Sequence, residues 1–119
     1  KSTSIPIVTG ENNFTHHVLL PFMKNRKIPI LQPDIMRGGY TNLIHTSNLA
    51  NQYGIEIAPH MFPELSIHIV ASIKNPSWLE YMGWYDHLWK EPLIPENGTL
   101  EPTERHGHGM DFKSEICIF

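Results

Sequence analysis

Cysteine is nearly absent, with Cys117 the single one among 119 residues. No internal disulfide can form, and a reducing cytoplasm is the expected setting. An excess of basic charge is also lacking. Nine Lys and Arg against twelve Asp and Glu give a formal net charge of -3, with no basic run or stripe. That balance removes the electrostatic case for nucleic acid or an anionic membrane surface as a partner. Long apolar runs are missing too. The stretch Ile67 to Ile73 has His68 inside it, far short of the roughly 20 apolar residues that span a bilayer. HExxH, paired cysteines, a P-loop and G-x-G-x-x-G are all absent, and Gly38-Gly39 leads only into Tyr40-Thr41. Zinc-hydrolase and nucleotide-binding readings therefore find no support.

What remains is ordinary globular composition, 40% hydrophobic and 18% charged, at a length that suits one small domain rather than two. Ten prolines and eight glycines are spread along the chain, so they mark turns rather than a disordered tract. Ile5-Pro6-Ile7-Val8-Thr9 reads as a short buried strand ending at Gly10. Phe14, Val18, Leu19, Phe22 and Met23 fall at helical spacing up to Lys24, with Pro21 as a kink. Ile28 to Gln32 is a second strand. Leu43, Ile44, Leu49, Ala50 and Tyr53 give a second helix, with Thr41 as candidate N-cap and Gly54 as C-cap. Ile55 to Ala58 is a third strand, and a third helix is expected over Leu65 to Ser72.

Strands alternating with helices over short connections argue for parallel βαβ units. Their length matches the unit of a (β/α)8 barrel, whose catalytic groups sit just after the strand C-termini, although an open doubly wound sheet would line a crevice from the same positions. Each strand here ends in a useful side chain: Glu11, Asp34 and His60. His60 exchanges a proton near neutral pH, and a carboxylate such as Asp34 beside it would fix its tautomer. Glu11 offers the hard oxygen that Mg²⁺ prefers. A metal ligand next to an Asp/His pair suggests proton abstraction from carbon.

Gly10-Glu11-Asn12, Gln32-Pro33-Asp34 followed by Gly38-Gly39, Ala58-Pro59-His60 and Trp78-Leu79-Glu80 occur in that order, with spacings of 23, 26 and 20 residues between Glu11, Asp34, His60 and Glu80. In this the chain resembles the last third of the mandelate racemase/muconate lactonizing enzyme branch of the enolase superfamily, across nearly its whole length. The resemblance implies an α/β fold: the last three βα units of a modified (β/α)8 barrel over residues 1–76, then a C-terminal closing segment of the capping domain over 77–119. It implies that Glu11 is a Mg²⁺ ligand, that Asp34 and His60 form a dyad with His60 as general acid or base, and that Glu80 hydrogen-bonds a substrate carboxylate. Lys or His bases acting with Mg²⁺ on an enediolate are a known property of the superfamily.

Trp78-Leu79-Glu80, Gly83-Trp84-Tyr85 and Leu88-Trp89-Lys90-Glu91 look most like acid-sugar dehydratases, which make 2-keto-3-deoxy products. A racemase or epimerase, a cycloisomerase, or a non-catalytic barrel used for binding are the alternatives. Two further metal ligands, a Lys-x-Lys motif and the N-terminal capping domain have no counterpart in these residues, and the family's Pro-Gly-Leu-Gly appears as Arg105-His106-Gly107-His108-Gly109. Three βα units cannot close a barrel, so the chain is expected to be part of a protein of several hundred residues, assembled as a homo-oligomer. His16-His17, at a helix start near Glu11, is a secondary candidate for reaching substrate. His68 is read as a packed, hydrogen-bonded core residue, and Trp78, Trp84 and Trp89 as packing the closing segment against the barrel. Cys117 is read as buried or incidental.

Overall fold

In the computed structural model, which describes residues 3–116, the element order is β1 (Val8–Thr9), α1 (His16–Asn25), β2 (Ile30–Leu31), α2 (Ile35–Gln52), β3 (Glu56–Ile57) and α3 (Pro63–Ser72), then a 3-10 helix over Gly83–Leu88. All three strands are parallel in the order β1-β2-β3, with Val8 opposite Ile30 and Ile30 opposite Glu56. The ladders are shorter than the apolar runs that produce them. Pro6 and Pro29 have no N–H to donate, although Pro29 O still accepts from Glu56 N at 3.0 Å.

A fourth parallel position continues the sheet where the sequence showed no strand. Ile57 N–H donates to Asn75 O at 2.9 Å and Ser77 N–H to Ile57 O at 2.8 Å, which sets Pro76 opposite Ile57. Side chains fix this junction. Asn75 Nδ2 donates to Ile55 O at 2.7 Å, and Ser47 Oγ donates to Asn75 Oδ1 at 2.7 Å.

The helices cover one face of the sheet. Leu19 and Met23 of α1 and Ala50 of α2 bury themselves with Leu31, Ile55 and Ile57, while Ile35, Leu43 and Ile69 form a second cluster between α2 and α3. Complete burial of side chains such as Leu19 and Leu43 contributes about 1.5–3 kcal/mol each. Helix α1 runs unbroken through Pro21. Pro21 lies on the exposed side, where the carbonyl that loses its partner can reach water. Asp34 caps a short first turn of α2 from Ile35, and Gly39, at φ 70° and ψ 171°, is non-helical. Helix α2 is therefore two helical pieces joined at a kink, the longer of which follows Gly39 close to the start expected near Thr41. Helix α3 starts two residues earlier than expected, at Pro63, a position where the missing N–H costs nothing.

Beyond Ser77 the chain folds back across α3. Trp89 Nε1 donates to the buried Glu64 at 2.9 Å, and its ring stacks on Phe112 at 4.5 Å. His68 Nε2 contacts His108 O at 3.1 Å, so this half-buried histidine is hydrogen-bonded as expected, but to the closing segment. Asn97-Gly98 forms a tight turn closed by Glu96–Thr99 backbone bonds of 2.9 and 3.0 Å. Of the three tryptophans only Trp89 packs as anticipated. Trp78 and Trp84 are 74% and 61% exposed.

The Cα radius of gyration is 15.4 Å, with extents of 49 × 30 × 23 Å, against about 13–14 Å for a compact domain of this length. Ile5, Ile7 and Val8 at β1 and Phe14 and Val18 at α1 are exposed. Both features suit a wedge of a larger barrel. No helix among the described residues is long and apolar enough to cross a membrane. Cys117 lies outside the described residues.

Tyr81 donates its hydroxyl to Asp86 Oδ2 at 2.9 Å. Desolvation first, then this hydrogen bond and the negative charges of Asp86 and Glu64, push its phenol pKa up. A raised folded pKa stabilises the protein below the ordinary phenol value of about 10 and loses that stabilisation as pH rises through the folded value. The melting-temperature advantage of the native protein over Tyr81→Phe, followed by circular dichroism, should therefore be present at neutral pH and shrink above about pH 10. An advantage that grows with pH contradicts the assignment.

Candidate active site

Because every strand position is parallel, the residues that follow their C-terminal ends emerge at one end of the sheet. Glu11 follows β1, Asp34 follows β2, His60 follows β3 and Glu80 follows the Pro76 position. Asp34 and His60 are themselves bridge partners, through His60 N to Pro33 O at 3.1 Å. The fourth position explains why Glu80 belongs with the other three.

Gly10 makes the first turn possible. Its φ is 134°, and a Cβ there would sit 3.2 Å from Gln32 N. Only glycine fits this close approach of two backbones. Glu11 Oε2 accepts from Gly10 N at 3.0 Å, and Asn12 Nδ2 lies 3.3 Å from Oε1. These donors orient the carboxylate and leave lone pairs for a hard cation. One such oxygen donor fits Mg²⁺ as part of a larger set. Among the described residues no group of three or more His, Cys, Asp or Glu could hold a metal ion by itself.

Asp34 is buried and points toward α2. Its Oδ1 accepts from Met36 N at 2.7 Å and Oδ2 is 3.6 Å from Arg37 Nε. A charge-assisted cap of this kind satisfies one of the orphan amides of a helix start. No Asp34–His60 side-chain hydrogen bond is formed among the described residues. The carboxylate beside the imidazole is Glu80, with Oε2 at 2.9 Å from His60 Nδ1. That contact has ion-pair distance without hydrogen-bond alignment, so Nδ1 has no well-directed partner. The same Glu80 oxygen accepts from Met61 N at 2.8 Å. His60 and Glu80 are both about a quarter exposed, each at 26%, so the pair is open to a small molecule while shielded by its neighbours.

His16 and His17 stand apart from this group. The His16 ring lies 4.0 Å from His17 and 6.0 Å from His45, and His16 Nδ1 is 3.0 Å from Asn42 Oδ1. They line an open groove between α1 and α2 with Leu20, Leu49 and Tyr53. The structure thus gathers His16 with the helical layer rather than with His60.

The model of the family described as "Enolase C-terminal domain-like" matches residues 1–116. The chain belongs to that family. Within it the chain is 31% identical over 113 residues to L-talarate/galactarate dehydratase of Salmonella typhimurium, covering 92% of this chain and 28% of that enzyme. It is 30% identical over 120 residues to D-xylonate dehydratase of Haloferax volcanii, covering 92% and 29%. The crystal structure of L-talarate dehydratase from Polaromonas sp. JS666, complexed with Mg and L-glucarate, superposes with a TM-score of 0.87 at 28% identity over 97% of this chain and 32% of that one. The chain therefore spans about 30% of the length of these relatives, and the expected barrel-segment fold is confirmed.

Asp34→Ala removes the α2 cap whatever else Asp34 does. Chemical unfolding should register a loss of about 1 kcal/mol. No loss would mean that the carboxylate does not hold the Met36 amide.

Proposed function

We propose that this chain carries part of the active site of a Mg²⁺-dependent enzyme that abstracts the proton next to a substrate carboxylate, and that the whole protein dehydrates an acid sugar to a 2-keto-3-deoxy product. The observation that carries the reading is the placement of Glu11, Asp34, His60 and Glu80 after the C-terminal ends of four successive parallel strand positions. The similarity to talarate/galactarate and xylonate dehydratases supports the substrate class.

In this reading His60 is the acid/base group. Dehydration needs a base to take the α-proton and an acid to give a proton to the departing β-hydroxyl, which leaves as water. His60 can do either, and a lysine from the part of the relatives' length that this chain does not span takes the complementary role. Glu80, adjoining His60 at 2.9 Å, offers a hydrogen bond to the substrate carboxylate when protonated. Asp34, whose backbone pairs with that of His60 across the strand ends, becomes the dyad partner of His60 when its carboxylate leaves Met36 N on substrate binding. Glu11 is one of the ligands of Mg²⁺, which when bound supplies positive charge that stabilises the developing anion. The remaining ligands are proposed to lie outside this chain.

His60→Asn in the whole protein should lower kcat by about 10²–10⁴, the range of a general acid/base group, with the fold intact by circular dichroism. Near-native turnover would remove His60 from the chemistry. Glu11→Gln should weaken Mg²⁺ binding by more than about tenfold in calorimetry, and unchanged affinity would exclude Glu11 as a ligand. Incubation of the native enzyme with Mg²⁺ and acid sugars in D₂O should yield keto product. Exchange of the α-proton without keto product would replace the dehydratase reading by that of a racemase or epimerase.

A further inference from the structure

His60 is followed by two residues in the left-handed region, Met61 at φ 50° and Phe62 at φ 45°. Neither is glycine, and for L side chains this region crowds Cβ against the backbone carbonyl. Residues held there persist only where their surroundings over-determine them, and such sites cluster at functional positions.

The restraints are specific. Met61 N–H donates to Glu80 Oε2 at 2.8 Å, and Met61 O accepts from Ser66 Oγ at 3.1 Å. Both polar ends of this residue are tied, one to the neighbouring strand end and one to α3. Phe62 O accepts from Leu65 N at 3.0 Å and Ser66 N at 2.9 Å, and the Phe62 ring stacks on Tyr85 at 5.6 Å with 8° between planes. Ser66 is 0% exposed, so its hydroxyl faces no solvent and Met61 O is the acceptor it uses. Were that bond absent, the turn could relax toward negative φ. Met61 N–H would swing from Glu80, and the backbone carrying the imidazole would turn with it.

We infer that Ser66 is a positioning residue: its buried hydroxyl clamps the left-handed Met61–Phe62 turn and so holds His60 against Glu80. The inference rests on the acid/base reading of His60. Ser66 touches neither ring nor substrate and acts only through the turn.

The test uses the whole enzyme at a temperature well below its melting point, with Ser66→Ala, Met61→Asn and the double variant. Asparagine tolerates the left-handed region better than methionine, so it relieves the need for the clamp. Ser66→Ala should lower kcat roughly 10- to 100-fold, the scale of a small misplacement of a reacting group, while KM changes little. Met61→Asn alone should stay active, and the double variant should regain most of the lost kcat. A role in packing alone would leave kcat at that temperature unmoved. Native kcat in Ser66→Ala, or a loss that Met61→Asn does not recover in a folded protein, overturns the clamp. An inactive His60→Asn beside a fully active Ser66→Ala sinks the clamp and leaves His60 in its role. An active His60→Asn sinks both.

Discussion

Three backbone hydrogen bonds, Gln32 N to Thr9 O at 2.8 Å, Ala58 N to Leu31 O at 2.9 Å and His60 N to Pro33 O at 3.1 Å, hold the strands in the parallel register on which the whole site depends. Parallel pairing brings all the C-terminal strand ends to one edge, and each connection must then cross back through a helix. The helices bury Leu19, Met23 and Ala50 on the sheet and leave the strand ends for polar groups. Were any strand reversed, its terminal carboxylate or imidazole would leave the mouth.

Around this frame each candidate side chain is held by a local device. Glycine at position 10 lets the β1 turn lie against Gln32. The α2 amides take the Asp34 carboxylate. Left-handed residues turn the chain sharply after His60, and the Glu80 carboxylate and Ser66 hydroxyl hold that turn from either side. The closing segment then covers α3 through Trp89 and the buried Glu64. Stability and site geometry are therefore coupled most tightly at the junction of β3 and α3.

Much of this was legible in the residues because strand ends are marked by abrupt changes from β-branched to polar or glycine positions. Glu11, Asp34 and His60 each follow such a change. Gly38-Gly39 reads as a break, and Gly39 is one, since the longer helical piece of α2 follows it. Asp34 directly before Ile35 caps the short turn that precedes this kink, a piece too brief to show a helical period of its own. The fourth strand position was not visible, since Lys74-Asn75-Pro76-Ser77 is polar and is fixed by tertiary bonds from Ser47 and to Ile55. The choice of carboxylate at His60 was likewise beyond a linear reading, because it depends on how the helix cap competes for Asp34. Trp78 and Trp84 read as packing residues from their size alone, yet they stand exposed.

The most direct measurement of the central claim is a crystal structure of the whole protein with Mg²⁺ and an unreactive acid-sugar analogue. The account predicts a Glu11 oxygen at about 2.0–2.1 Å from the metal, with the His60 imidazole and the Glu80 carboxylate lining the same cavity against the analogue. A metal held without Glu11, or an analogue bound away from His60, would contradict it.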